Sequence, residues 1–314
     1  MIIAEANNLK DKIENLSTKK VNYENLNVDI NHQLIFTMID GKVMQVLTDT
    51  KSAMTCVYCG VTPKDMNNLK TKDVNIDALK YGLSPLHAYI RFFECVLHIA
   101  YRIDIKLWRV TKENKEKLES KKAKIQNDFR KDLGLIIDVP SPGGSGTSND
   151  GNSARCFFEE YEISARITGV NVELIRRLGV ILKTINCRFD IDASKFDAYC
   201  HETFKLYIEH YDWFKMPRTM HQILAHGSVI ISNFTVPIGS LSEEAQESRN
   251  KDLKYTRTHH TRKANRKQNN ADLIHSLLVS SDPYINSLRK QPSPHASTSL
   301  SKEMLNLLKP YTKL

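Results

Sequence analysis

Apolar residues recur at helical spacing along most of this chain, and only one stretch clusters them as a strand would. Leu86, Ile90, Phe93, Leu97 and Tyr101 mark one helix face, opened by Ser84-Pro85, an N-cap serine followed by proline at the first helical position. A highly charged amphipathic helix is predicted over 111–132, ending near Gly134, and further helices over 154–168, 171–186, 193–211 and 218–232. A short charged helix is expected at 5–17. Residues 33–48 carry the strand signal, with Asp40-Gly41 placed to turn two strands or to end one. Residues 139–153 are rich in turn formers, and 236–240 break the helical pattern. Ser240-Leu241-Ser242-Glu243 fits a capping box opening a long polar helix to about 267; a Pro/Ser-rich linker at 290–300 then leads to a last short helix. No internal repeat is visible. One strand region feeding many helices needs a sheet to join.

The length of 314 residues, 41% of them hydrophobic, suits one large or two to three modest domains with real cores. No apolar run reaches the roughly 18 residues of a membrane helix, and no signal-peptide pattern follows Met1. A soluble, intracellular protein with no membrane partner is expected. A net charge of +9 and a pI near 9.1 favour a polyanionic partner, nucleic acid being the usual one, although a basic enzyme surface gives the same balance. Of the six cysteines only Cys56 and Cys59 are close together, which is no disulfide framework; Cys95 and Cys187 fall in apolar helical patterns as small core residues.

Candidate chemistry lies in three places. Cys56-Val57-Tyr58-Cys59-Gly60 is a CxxC knuckle whose two thiolates can reach one tetrahedral zinc, with structural and redox roles as the alternatives. His221 and His226 have the three-to-five spacing of the second half of a zinc site. An ideal helix rotates about 140° over five residues, so a helix end at Gly227 is expected to relax the pair. Carboxylates at Asp40, after an apolar strand, and at Glu243, Glu244 and Glu247, on the first turns of a helix, suit two-metal phosphoryl chemistry. They equally suit an ordinary Asp-Gly turn and the favoured acidic start of a helix. Beyond Glu247 come Arg249, Lys251, Lys254, Arg257, Arg262, Lys263, Arg266 and Lys267 against one acid, Asp252, a density able to neutralise several phosphates along one helix. A solvated surface helix is the alternative.

Taken in order, these pieces resemble the catalytic subunit of the V(D)J recombinase (recombination-activating protein 1) and the Transib-type transposases. The similarity rests on His221-x4-His226 with Leu224-Ala225 between, then Ile238-Gly239, Ser242-Glu243, Glu247-Ser248-x-Asn250-Lys251 and the Arg-rich stretch. Upstream it rests on Asp40-Gly41-Lys42-Val43 before the CxxC, and on Gly151-Asn152-x-Ala154-Arg155. It runs from about residue 33 to 290. The resemblance implies a mainly α chain: remnant strands of an RNase H-like sheet (1–50), a large zinc-stapled helical insertion (51–235), a segment with the catalytic-type glutamate and basic stripe (236–290), and a linker with tail helix (291–314). Cys56, Cys59, His221 and His226 would be ligands of a structural Zn²⁺. Asp40 and Glu247 would be catalytic, sharing Mg²⁺ or Mn²⁺, and the eight basic residues would bind DNA. A second copy and an accessory recombinase subunit are the implied protein partners, and the nucleus the implied location. Only 39 residues precede Asp40, so the family's first aspartate has no convincing match, and a truncated chain with an incomplete active site is expected. The competing expectation is a non-catalytic zinc-binding domain that binds DNA or a protein partner.

Overall fold

The computed structural model describes residues 2–23, 26–31, 41–68, 73–141, 146–241, 243–288 and 300–310. The chain is mainly helical. Helix α1 (Ile2–Glu14) is followed by an antiparallel ribbon of β1 (Lys19–Tyr23) and β2 (Leu26–Ile30), with Val21 opposite Val28. Then come α2 (Gly41–Leu47), the short α3 (Ile76–Leu79), α4 (Pro85–Arg102), α5 (Lys115–Leu133), α6 (Gly151–Glu159), α7 (Tyr161–Thr168), α8 (Val172–Ile185), α9 (Ala193–Tyr211) and α10 (Arg218–Ser232). A 3-10 turn at Ile238–Leu241 precedes α11 (Glu244–His259), α12 (Arg266–Ser281), α13 (Pro283–Ser287) and α14 (Lys302–Asn306). Two compact units result: Met1–Ser242 with Glu303–Leu314, and Glu243–Lys302.

The core of the first unit is organised on α4. Its periodic face buries Phe92, Phe93, Leu97, Ile99 and Ala100 completely. Ser84 caps it by accepting from the His87 backbone N–H at 3.1 Å, with Pro85 as its first residue. Phe93, Phe129 and Phe157 bring α4, α5 and α6 together, with ring centroids 4.9 and 5.6 Å from Phe157. α9 opens on Asp192, whose side chain accepts from Lys195 N, and lies against α10 through Phe196 and Phe204.

Four expectations need correction. The stretch 33–48 is not a strand where it is described: Gly41–Leu47 is helical, with Met44 buried. A short apolar run satisfies both periods, and here neighbours along the chain decide. The strands lie earlier instead, at 19–30, where charges interrupt the alternation of Val21, Leu26, Val28 and Ile30. The helix expected over 154–168 starts at 151, capped by Asp150, and breaks at Glu160, whose φ/ψ of −92°/45° is not helical. Ser240 lies in the 3-10 turn rather than in a capping box, and α11 opens at Glu243 with no side-chain cap. The long polar helix also stops at His259; Asn265 then caps α12 by accepting from Gln268 N.

Candidate metal centre and basic surface

The knuckle is a tight turn with Gly60 in the left-handed region at φ 68°, a conformation that disfavours any side chain there. Gly60 N donates to the Cys56 carbonyl and Cys56 N to that of Val61, both at 2.9 Å, which curls the backbone around the sulfurs. Tyr58, fully buried between the cysteines, donates its hydroxyl to the Gly82 carbonyl at 2.6 Å and sets its ring 6.1 Å from that of His226. Its phenol is pushed up by burial. Asn67 ties the loop to the α9–α10 connection: it donates to the carbonyls of Asp212 (2.9 Å) and Phe214 (3.0 Å) and accepts from Met216 N (2.8 Å).

α10 supplies the second half. Arg218–Ser232 is one uninterrupted helix, so no helix end at Gly227 relaxes the histidine pair. Gly227 serves packing: a Cβ there would stand 3.0 Å from the Phe196 ring of α9. The 140° between the histidines is spanned by the rings themselves. They lean toward each other over the small Ala225, to 5.2 Å between centroids with planes at 77°. His221 Nδ1 donates to the Met66 carbonyl at 3.1 Å, which fixes the tautomer and aims Nε2 at Cys59 Sγ, 3.5 Å away.

One ligand atom from each of Cys56, Cys59, His221 and His226 lies within 4.8 Å of the others, so this Cys₂His₂ group can hold a metal ion. Cys56, His221 and His226 are buried and Cys59 half-buried. The donor set fits zinc, since two sulfurs and two imidazoles match its soft, tetrahedral preference. His226 Nε2 gives a further sign of fit: it is buried with no hydrogen-bond partner, an unfavourable state for a ring nitrogen that a ligand would relieve. The two thiols share one proton. The hydrogen bond from Cys56 holds Cys59 down to about 2, with His221 and His226 adding to it, whereas the same bond and burial push Cys56 up. A thiolate is thus already in place for a cation.

The second unit carries the basic stretch, divided between two helices. α11 and α12 run antiparallel: Arg249 donates to Ser280 Oγ, and Arg262 makes a bidentate pair with Asp272 at 2.7 and 3.0 Å. Arg249, Leu253 and Thr256 form the inner, half-buried side of α11, while Lys251, Lys254 and Arg257 are exposed. Lys263 Nζ donates to the Arg257 carbonyl, and Arg266 and Lys267 stand exposed on the first turn of α12. Tyr255 packs its exposed ring between His259 and His260, at 4.7 and 5.2 Å. Glu247 is exposed on α11, one and two turns from Lys251 and Lys254 on the same face. Asp40 lies outside the described residues. The four zinc-type ligands are therefore brought together, and nothing places the two catalytic-type carboxylates together. Asn67 escaped the sequence reading because Thr62-Pro63-Lys64-Asp65-Met66-Asn67 looks like any turn-forming run. Of the other cysteines, Cys95 and Cys200 are buried and Cys187 is half-buried.

The chain matches no protein-family model and no curated protein. Among the described residues no helix is long and apolar enough to cross a membrane.

Proposed function

We propose that the chain is a zinc-stapled helical DNA-binding protein of recombinase ancestry. The observation carrying this reading is the convergence of Cys56, Cys59, His221 and His226 within 4.8 Å. Four protein ligands would fill a tetrahedral zinc and leave no position for substrate, so the ion would be structural. When bound it supplies a crosslink between the knuckle and α10, whose ligands Cys59 and His221 are 162 residues apart. DNA would be the partner: Lys251, Lys254 and Arg257 on α11, with Arg266 and Lys267 on α12, would meet phosphates, and a nuclear location would follow from that partner. On this reading residues 51–235 correspond to the family's helical insertion and 1–50 to what remains of its RNase H-like sheet. Elemental analysis of purified protein should give one equivalent of zinc. Retention of full zinc by a Cys56→Ser, His226→Ala double variant would refute the site.

A second, catalytic reading draws on the exposure of Glu247 beside Lys251 and Lys254. Glu247 and Asp40 would there hold Mg²⁺ or Mn²⁺ and cleave DNA by hydrolysis, followed by direct transesterification. Its test is nicking of supercoiled DNA in Mn²⁺. Activity lost in Glu247→Gln supports it, and none above background for the unaltered chain sinks it.

A further inference from the structure

The end of the chain returns to the first unit after the whole second unit has intervened. The return is made through a compact set of contacts. Tyr199 donates its hydroxyl to Glu303 Oε1 at 2.8 Å, and Arg176 donates to the other carboxylate oxygen. Arg176 is itself held by Glu173, at 2.7 and 2.9 Å. Met304, Leu307 and Leu308 are each buried to more than nine-tenths. Leu308 pairs with Ile191 as an isolated antiparallel bridge: Asp192 N donates to the Leu307 carbonyl at 2.9 Å and Lys309 N to that of Asp190 at 2.8 Å. A carboxylate clamp, three apolar anchors and two main-chain bonds thus fall within Glu303–Lys309. That is how a short linear peptide is recognised, with backbone bonds for affinity and pockets for specificity. The receiving surface consists of Arg176 on α8, Tyr199 on α9 and the segment Asp190–Asp192 between the two helices.

We propose that this groove is a docking site for the tail of a second copy of the chain, the clasp closing between two copies with the same contacts as within one. Nothing in the contact set depends on which copy supplies the tail. The sequence leading to it, with Pro292 and Pro294 among serines, is of the linker type that lets a terminal segment reach elsewhere. Each copy owns one groove and one tail, so reciprocal exchange closes a two-fold dimer and stops there. Charge complementarity selects the occupant: the guanidinium of Arg176 takes the carboxylate that precedes the apolar triplet.

Charge reversal separates the possibilities, because Arg176 and Glu303 are each about one-third exposed and tolerate substitution without loss of core. Full-length Arg176→Glu and full-length Glu303→Arg, each alone, lose their own clasp and should run as monomers. Mixed in equal amounts they regain complementary pairs only across copies, and light scattering should show a species of twice the mass. Both changes in one chain restore a matched pair within that chain and with it the elution and melting temperature of the unaltered protein. A labelled peptide of residues 300–310 should bind the Glu303→Arg chain saturably, and bind the unaltered chain, whose groove is filled, at least about tenfold more weakly. A mixture that stays at monomer mass overturns the proposal. So does a peptide that binds neither chain.

Discussion

His221 and His226 sit five positions apart on one helix, and their usefulness as a pair depends on what lies between and behind them. Ala225 leaves room for the rings to lean together, and the Met66 carbonyl holds His221 Nδ1 so that Nε2 faces Cys59 at 3.5 Å. Replacing His226 by alanine should abolish stoichiometric zinc. It should also cost more than about 4 kcal/mol, the range of metal-site losses, as read from urea unfolding. Asn67→Ala removes three hydrogen bonds that position the same loop and should cost about 2 kcal/mol while weakening zinc retention against a chelator. Zinc retention equal to that of the unaltered chain would show the loop to be held by other means. The ligands themselves were legible in the sequence, because CxxC and paired histidines are spaced by covalent geometry. Asn67 was not, because its partners, Asp212, Phe214 and Met216, are brought to it only by tertiary folding.

At the level of elements, strong periodicity translated directly into structure. α9 and α10 span the predicted 193–211 and 218–232, and the apolar face of α4 is the one buried. Weak or double-valued patterns failed: Val43, Met44 and Leu47 satisfy a helix as well as a strand, and the polar run after Glu243 has too few apolar positions to reveal its turn at 260–265. That turn changes what the basic stretch can do. Arg249 and Arg262 are engaged inside the hairpin, so they contribute to its stability more than to any phosphate contact. Lys254→Ala and Arg257→Ala should each lower the slope of log affinity against log salt for duplex DNA by about 0.9, whereas Arg249→Ala should leave that slope unchanged and loosen the hairpin. The opposite pattern in binding isotherms would contradict the assignment. The Arg262 hydrogen bonds, first from its side chain and then from its backbone, hold the Asp272 carboxyl down to about 2. A depressed carboxylate stabilises above its ordinary value and loses that contribution as pH falls through the depressed one. The hairpin turn should therefore persist through pH 4 and loosen toward pH 2. A carboxyl NMR titration of Arg262→Gln should return Asp272 to its ordinary range; an unmoved midpoint would show that other groups hold it.

Across the whole molecule, the knuckle and α10 come from opposite ends of the first unit, and joining them closes a long loop of chain. A ligand that binds only the folded state stabilises it by mass action, so a tightly held zinc would add directly to folding free energy. Incubation with a strong chelator should lower the calorimetric melting temperature by about 10 °C or more, and zinc should restore it. A melting temperature unaffected by complete zinc removal would reduce the four residues to a packed polar cluster. The catalytic reading does not follow from this scale: Asp40 lies outside the described residues and Glu247 belongs to the other unit, so their relation is a matter for activity assays. The most direct test of the zinc staple is X-ray absorption at the zinc edge on the purified chain. The account predicts one zinc with two sulfurs near ~2.3 Å and two imidazole nitrogens near ~2.0–2.1 Å, with one sulfur lost in Cys59→Ser. A zinc-free protein, or a zinc shell of oxygen and nitrogen alone, would contradict it.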